Sequence, residues 1–157
     1  MPEQAGGAFV RLKEQRLWDR MRNNLPPDVY AERVENMLAA GFPDIILKAT
    51  GGRSPVFCET KAVDEYPARL LSSRVFGNEG LSQEQKNWHM LWAKHGGLSI
   101  IVASCGSGAH LDHFAIAGRL GDRFNDMTRQ ELIDASYCKE TRGTLFWAGL
   151  IQYLKGT

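Results

Sequence analysis

The stretch GFPDIILKATGGRSPVFCETK, residues 41–61, decides the fold of this chain. It contains two strand-like runs, residues 44–49 and 55–61, on either side of a Gly-Gly-Arg-Ser turn signal. This arrangement predicts a β-hairpin. Because side chains alternate along a strand, Glu59 and Lys61 project from one face of the second run and Thr60 from the other. Hairpin pairing also brings Asp44, at the start of the first run, near the end of the second.

Helical and strand patterns on both sides of the hairpin predict an α/β sandwich with a mixed sheet flanked by helices. The N-cap candidates are Asp28, Ser82 and Thr128, and Pro26 ends the first helix. The predicted helices cover residues 8–24, 29–40, 83–95 and 129–135, the further strands cover 98–103 and 110–116, and residues 144–154 form either a helix or a strand.

Length and composition favour one ordinary globular domain. The chain has 157 residues, of which 43% are hydrophobic and 24% charged, which is unlike a disordered or collagen-like chain. The odd number of widely spaced cysteines, three in all, does not suggest a disulfide framework. The sequence contains neither a transmembrane run nor a signal-peptide core, so a cytoplasmic protein is expected. The net charge of +1 is low for a nucleic-acid binder.

Asp44, Glu59 and Lys61 form the combination with the clearest chemical meaning. Two carboxylates with water suit Mg²⁺, which prefers oxygen ligands. A lysine beside them can orient an attacking water, and the metal can polarise a phosphoryl oxygen. The ordinary alternative is an aspartate that merely starts a strand, followed by a Glu-x-Lys pair on a solvated sheet face.

These residues resemble the motif of the PD-(D/E)XK nuclease superfamily, and more closely that of the VRR-NUC-like nucleases and phage endonuclease I-type Holliday-junction resolvases. The motif reads Pro43-Asp44 and then Glu59-Thr60-Lys61. The resemblance extends over about residues 31–104. It includes a glutamate-bearing segment, RVEN at residues 33–36, the LSQEQ segment at residues 81–85 followed by a tryptophan, and a Gly-Gly pair before an apolar strand.

The resemblance implies a restriction-endonuclease-like core over about residues 28–116, within a single nuclease domain of residues 1–157. It implies that Asp44 and Glu59 bind Mg²⁺, for which Mn²⁺ can substitute, with the carbonyl of Thr60 as a third ligand. Lys61 would position the nucleophilic water. Glu35 would complete the site, binding the metal directly or through water, and Glu32 is the rival position.

Gln85 is a further candidate catalytic residue. On the third predicted helix Gln85, Trp88 and Trp92 are spaced i, i+3 and i+7, so they share a face that should pack on the sheet. An amide on that face needs hydrogen-bond partners. It can therefore serve the catalytic site, or it can be a core glutamine satisfied by backbone groups. The two tryptophans are expected in the core.

Other signals were weighed for function. Cys105, His110, His113 and Cys138 could suggest zinc, but their spacing does not match a paired zinc motif. The candidates for contacts with DNA phosphates are Arg53, Arg69, Arg74 and Lys86.

The function predicted from the sequence is that of a Mg²⁺-dependent DNA endonuclease that leaves a 5′-phosphate. Its partner would be duplex or branched DNA, with junctions as the first choice, and a homodimer could cut both strands. A phage-encoded protein acting in the host cytoplasm would fit the resemblance. The alternative is a non-catalytic DNA-binding or virion-associated structural module on a nuclease-like fold.

Overall fold

A computed structural model describes residues 2–34 and 39–156 of the chain, with side chains described from residue 12 onward. The helices are α1 (Pro2–Asn24), α2 (Gln83–Lys94), α3 (Gly121–Phe124), α4 (Arg129–Ala135) and α5 (Gly143–Lys155). The strands are β1 (Val29–Arg33), β2 (Ile45–Ala49), β3 (Val56–Val63), β4 (Ser99–Cys105) and β5 (Asp112–Ala117). Single turns of 3₁₀ helix cover Gly77–Glu79, Gly108–His110 and Gly118–Leu120.

The five strands form one mixed sheet in the order β1-β2-β3-β4-β5. The pairs β1–β2, β2–β3 and β4–β5 are antiparallel, whereas β3 and β4 run parallel. The connection between β3 and β4 contains α2, as a parallel pair requires a crossover. The predicted α/β class, with a mixed sheet flanked by helices, is confirmed.

Both faces of the sheet are covered. On one face α1 and α5 bury an apolar core that includes Leu17, Met21, Phe146 and Leu150. On the other face lies a second core, whose members include Phe76, Phe124, Met127 and Leu132. Because both faces are packed, the interior strand β4 is buried at all seven positions, which explains its apolar run from Ile100 to Ala103.

The prediction of a helix over residues 29–40 is wrong at its start. Residues 29–33 form the edge strand β1, which pairs with β2 so that Val29 lies opposite Ala49 and Ala31 opposite Leu47. The apolar positions 29 and 31 have a period of two, and the sheet edge satisfies the backbone groups that a helix would have bonded internally. Asp28 does not cap a helix; its carboxylate lies 2.9 Å from the Lys155 ammonium.

Asp112 fixes the second half of the chain to the sheet. It is fully buried at the start of β5, where its carboxylate accepts hydrogen bonds from four side chains: Tyr66, Arg129, Thr141 and Arg142. Burial alone would raise the pKa of Asp112, but these donors lower it on balance. One carboxylate thus holds the 64–80 connection, α4 and the loop before α5.

A search of the described helices for a span that could cross a membrane, by length and apolar character, finds no candidate.

Candidate active site

The register of the hairpin places Asp44 across from Glu59. Ile45 pairs with Cys58 and Ile46 with Phe57, so the same register continued by one residue sets Asp44 opposite Glu59. Directly opposed residues of an antiparallel pair point to the same face. The two carboxylates are close enough to interact, and Asp44 is half-buried whereas Glu59 is buried.

Lys61 lies two residues beyond Glu59 on the same face of β3. Its ammonium nitrogen is 3.6 Å from Glu59 Oε1 and 3.7 Å from Glu14 Oε1. The lysine itself is buried, with only 9% of its surface exposed. The predicted trio of Asp44, Glu59 and Lys61 therefore comes together in the fold, beside a third carboxylate.

That third carboxylate, Glu14, was missed by sequence reasoning. It belongs to α1, which packs on β3, and its side chain is 16% exposed. A signal for it exists in the sequence. Glu14 precedes Leu17, Trp18 and Met21 by three, four and seven residues, so it shares the buried face of the first helix. A glutamate on that face needs a partner.

Of the two glutamates predicted to complete the site, Glu35 and Glu32, the structure describes only Glu32. Glu35 lies outside the residues that the structure describes. Glu32 is exposed on the edge strand β1, where it pairs in register with Ile46 rather than with Asp44. The placement of Glu14 therefore gives the described part of the site its helical carboxylate.

Gln85 holds Glu59 in place. Its Nε2 donates a hydrogen bond of 2.7 Å to Glu59 Oε1, and its Oε1 accepts one of 2.9 Å from the backbone N–H of Ser82. The Ser82 hydroxyl in turn accepts from the Gln85 N–H, so the two residues form a capping box at the start of α2. The cap of the helix and the orientation of the carboxylate thus depend on one amide.

The two tryptophans of α2 pack on the sheet, but they are half-buried rather than in the core as predicted, and the buried residue of α2 is His89. Trp88 and Trp92 lie edge-on to Phe57 of β3, with ring centroids 5.5 and 5.4 Å away. Trp92 also donates a hydrogen bond of 3.1 Å to the carbonyl of Leu98. These contacts fix α2 on the sheet, and thereby fix Gln85 above Glu59.

The electrostatics of the site disfavour its negative charges. Burial raises the pKa of Glu59 well above its usual value, and the charge of Asp44 raises it further. Burial also raises the pKa of Asp44 and of Glu14, whereas the Lys61 ammonium lowers both. Lys61, with Arg33 acting on Glu14 and Asp44, thus faces three acids, and an additional positive charge would stabilise their ionised forms.

The donor set fits a hard divalent cation. Glu59 Oε2 is buried and accepts no hydrogen bond from an amide, ammonium or hydroxyl donor of the described residues, and the Asp44 carboxyl lies within hydrogen-bonding reach of the Glu59 carboxyl. Within residues 12–34 and 39–156, no three Asp, Glu, His or Cys side chains converge closely enough to form a complete metal cage. Mg²⁺ usually takes one or two carboxylates and keeps several waters, so two acids and oxygen atoms of substrate and solvent meet its need.

Thr60 and Cys58 contribute no side chain to this site. Both alternate to the opposite face of β3 from Glu59, and both are buried. Only the backbone carbonyl of Thr60 is available as a metal ligand. Burial raises the pKa of the Cys58 thiol, which keeps it protonated.

The residues weighed for zinc are held in other contacts. His113 accepts a hydrogen bond from Arg20 and stacks on Phe146 at 5.1 Å, and burial lowers its pKa to about 4. Burial raises the pKa of Cys105 and Cys138 to about 12. These groups are a neutral imidazole and two protonated thiols in the cores.

Two of the candidate phosphate contacts are engaged elsewhere. Arg53 donates to the carbonyl of Tyr153 and lies over that ring at 4.8 Å, at the end of α5. Arg74 pairs with Asp126 at 3.4 Å on the surface.

The chain is similar to known proteins at the level of structure. No family model and no curated protein sequence matches the chain. Among solved structures, the chain is similar to Hjc of Archaeoglobus fulgidus, a Holliday junction resolvase from an archaeal hyperthermophile. The two are 16% identical with a TM-score of 0.47, over 78% of this chain and 90% of that chain.

Proposed function

We propose that this chain is a metal-dependent DNA endonuclease of the PD-(D/E)XK kind. One observation carries the proposal. A buried glutamate with an unbonded carboxylate oxygen lies across from Asp44 and beside a buried lysine, and an amide clamps its other oxygen. A surface Glu-x-Lys pair would need neither the burial nor the clamp.

Asp44 and Glu59 Oε2 would hold Mg²⁺, or Mn²⁺ in its place, and the Thr60 carbonyl would be a further ligand. When bound, such a cation polarises a phosphoryl oxygen and offsets the charge that grows in the transition state. Gln85 would keep Glu59 turned so that Oε1 is engaged and Oε2 is free for the metal.

Lys61 would orient the nucleophile and the phosphate. Its ammonium has three donors and lies between the Oε1 atoms of Glu59 and Glu14. A donor not spent on these acids can bond to a water molecule or to a phosphate oxygen. Because Lys61 is buried, its position varies little, which favours a defined angle of attack.

Hydrolysis of a phosphodiester adds the oxygen of water to phosphorus and breaks the bond from phosphorus to the 3′ oxygen. The products would be a 5′-phosphate and a 3′-hydroxyl. The attacking water must lose a proton, and a solvent water would supply the proton that the leaving 3′ oxygen gains. Glu14 would accept the proton from water, because its carboxylate contacts Lys61 and its pKa is raised by burial.

The finer assignments belong to the same proposal. The substrate would be branched or junction DNA, with duplex DNA next, and two copies of the chain would place two sites on one substrate. Membership of the VRR-NUC-like or the phage endonuclease I-type group, and a phage origin, stay predictions from the sequence.

A cleavage panel tests the activity. Labelled single-stranded, duplex, flap and four-way-junction DNA would be incubated with Mg²⁺ or Mn²⁺ and the intact chain. We expect cleavage of the junction by the wild type, and at least a hundredfold slower cleavage by Asp44→Asn, about 3 kcal/mol of barrier. Asp126→Asn is the matched control, because the Asp126 side chain is 69% exposed at the surface. If the wild type binds DNA but cuts none of these substrates, the enzyme proposal is wrong and the alternative of a non-catalytic DNA-binding module takes its place.

The role of Glu14 has its own test. Glu14→Gln keeps the shape of the side chain but removes the proton acceptor beside Lys61. We expect cleavage at least tenfold slower at pH 7, about 1.4 kcal/mol. Glu140→Gln, at an exposed position, should leave the rate unchanged. Wild-type rates in Glu14→Gln would remove Glu14 from the mechanism while leaving the metal site intact.

A further inference from the structure

A small basic cleft lies between α1 and the loop that joins β4 to β5, at the end of β3 that follows Lys61. Its volume is about 140 Å³. Its α1 wall carries Lys13, Arg16 and Arg20, and its floor includes Ala62, the residue after Lys61. Since Lys13 also precedes Glu14, the cleft and the site share α1 and β3.

The three cations form a stripe along one side of α1. Their spacing of i, i+3 and i+7 puts them on a single helix face. The same face continues to Asn24, which with Arg20 lines a second and larger cavity of about 410 Å³. From Lys13 to Arg20 the helix rises about 10 Å at about 1.5 Å per residue. One strand of B-DNA advances about 3.4 Å per nucleotide, so the stripe spans about three nucleotides.

Among the described side chains, Arg16 forms no ion pair, and Arg20 interacts with Asp64 only at longer range. Lys13 lies 3.7 Å from Asp64, the one acid on the cleft wall. Among the side chains that the structure describes, no carboxylate forms an ion pair with Arg16 or Arg20. The three cations and single acid leave the cleft with an excess of about two positive charges.

Arg20 is held by neutral groups. Its Nε donates to His113 Nε2 at 3.2 Å and one terminal nitrogen donates to Ser104 Oγ at 3.3 Å. Burial lowers the pKa of Arg20, and the like charge of Arg16 lowers it further. A half-buried guanidinium that is fixed in direction and repelled by its neighbour would be stabilised by an anion.

The opposite wall is a fixed turn. Gly106 has φ +94°, and a Cβ there would meet the carbonyl oxygen of His110 at 2.4 Å, so only glycine fits. The turn keeps the cleft narrow, so only a thin ligand can enter it. A phosphodiester backbone meets that limit, whereas a folded protein surface does not.

We propose that this cleft binds backbone phosphates of the DNA strand that runs through the candidate active site, with Arg16 and Arg20 as the contacting residues. The inference rests on the proposed function, and it adds a definite path for the substrate. Arg16 is exposed and meets the strand first, whereas Arg20 receives a phosphate deeper in the cleft.

Salt-dependent binding tests this path without any cleavage. Binding of a labelled four-way junction to the full chain would be followed by fluorescence anisotropy in EDTA over a range of salt concentrations. Each phosphate contact contributes about 0.7 to 0.9 to the slope of log K against log salt. We expect Arg16→Gln and Arg20→Gln each to lower the slope by about that amount. Arg22→Gln is the matched control, because Arg22 lies on the same helix, is 59% exposed and faces Trp18.

The outcomes separate this inference from the nuclease proposal. Slopes for Arg16→Gln and Arg20→Gln equal to that of Arg22→Gln overturn the cleft, even if the wild type cuts DNA with Mg²⁺. Reduced slopes support the cleft, even if no substrate is cut. Thermal melting checks that Arg20→Gln folds; if it does not, Arg16→Gln alone decides.

Inorganic phosphate is the other source of the same chemistry. If phosphate raises the melting temperature of the wild type but not of Arg16→Gln, while both bind the junction with equal slopes, the cleft binds a free anion and the DNA path is overturned.

Discussion

Glu59 combines two properties that folded proteins ordinarily separate: complete burial and a carboxylate oxygen without a partner. An unpartnered buried polar atom costs about 1–3 kcal/mol, and more when it is charged. Gln85 and Lys61 satisfy only Oε1. The arrangement is therefore costly to the protein, and the cation that we propose at Oε2 would offset that cost.

This cost gives a prediction for the metal-free chain. Glu59→Gln removes a buried charge that Asp44 and Glu14 repel, and its new amide can donate to Asp44. We expect the variant to be more stable at pH 7 in EDTA by on the order of 1 kcal/mol, or about 2–4 °C in Tm. Saturating Mg²⁺ should raise the Tm of the wild type but not that of the variant.

Glu140→Gln, the same exchange at an exposed position, serves as a control for changes unrelated to the site. A lower Tm for Glu59→Gln in EDTA would contradict the view that Glu59 is a strained ligand.

At the scale of elements, the start of α2 connects helix capping to the site. Among the side chains that the structure describes, two capping boxes of the same kind occur: Ser82 with Gln85 on α2, and Thr128 with Glu131 on α4. Only the first touches Glu59. The pair therefore separates the effect of a cap on stability from its effect on the site.

We predict that Ser82→Ala and Thr128→Ala each cost about 1 kcal/mol of stability. Only Ser82→Ala should also slow cleavage, by about tenfold, because a frayed first turn loosens Gln85 and with it Glu59. The measurements are thermal melting and the junction-cleavage rate at a temperature well below both Tm values. Equal rates in the two variants would show that the cap does not position Glu59.

The edge strand β1 shows where local patterns mislead. Asp28 and the apolar residues that follow it fit the start of a helix. The same residues fit a strand, because Val29 and Ala31 are two positions apart and so lie on one face. Pairing with β2 decides between them, and that partner lies 12 or more residues away in the chain.

At the scale of the whole molecule, two buried neutral histidines limit stability in acid. His89 hydrogen-bonds Ser99 at 2.8 Å beneath α2, and His113 lies against α5. Burial lowers the pKa of each from 6.5 to about 4. Above pH 6.5 both states of the protein hold these rings neutral. As the pH falls from 6.5 to about 4, the unfolded chain takes up protons that the folded chain does not.

Each histidine should therefore lower the free energy of unfolding by about 2 kcal/mol when the pH falls from 7 to 5. The active-site acids act in the opposite sense, because their raised pKa values make the fold more stable as the pH falls. Urea unfolding at pH 7 and 5 should show a smaller loss for His89→Asn and His113→Asn than for the wild type. His95→Asn, at an exposed position, should match the wild type. An equal loss of unfolding free energy in all four proteins would contradict the view that His89 and His113 limit stability in acid.

The net charge of +1 is explained by the distribution of charges over the whole molecule. Acids gather around Glu59 and bases gather along α1, so near-neutrality overall coexists with two oppositely charged neighbouring regions. A cation at the first region and a phosphate strand at the second would complement each other.

The sequence by itself determined the hairpin, the helices at residues 83–94 and 129–135 with their caps, and the grouping of Asp44, Glu59 and Lys61. These features depend on period, turn residues and caps within about twenty residues, all of which are local. The choice of helix for residues 143–155, the strand at β1 and the entry of Glu14 were decided by tertiary structure. Each of these features depends on which apolar face packs against another segment of the sheet or its helices. The free energy of that burial arises only when segments distant in the chain pack together.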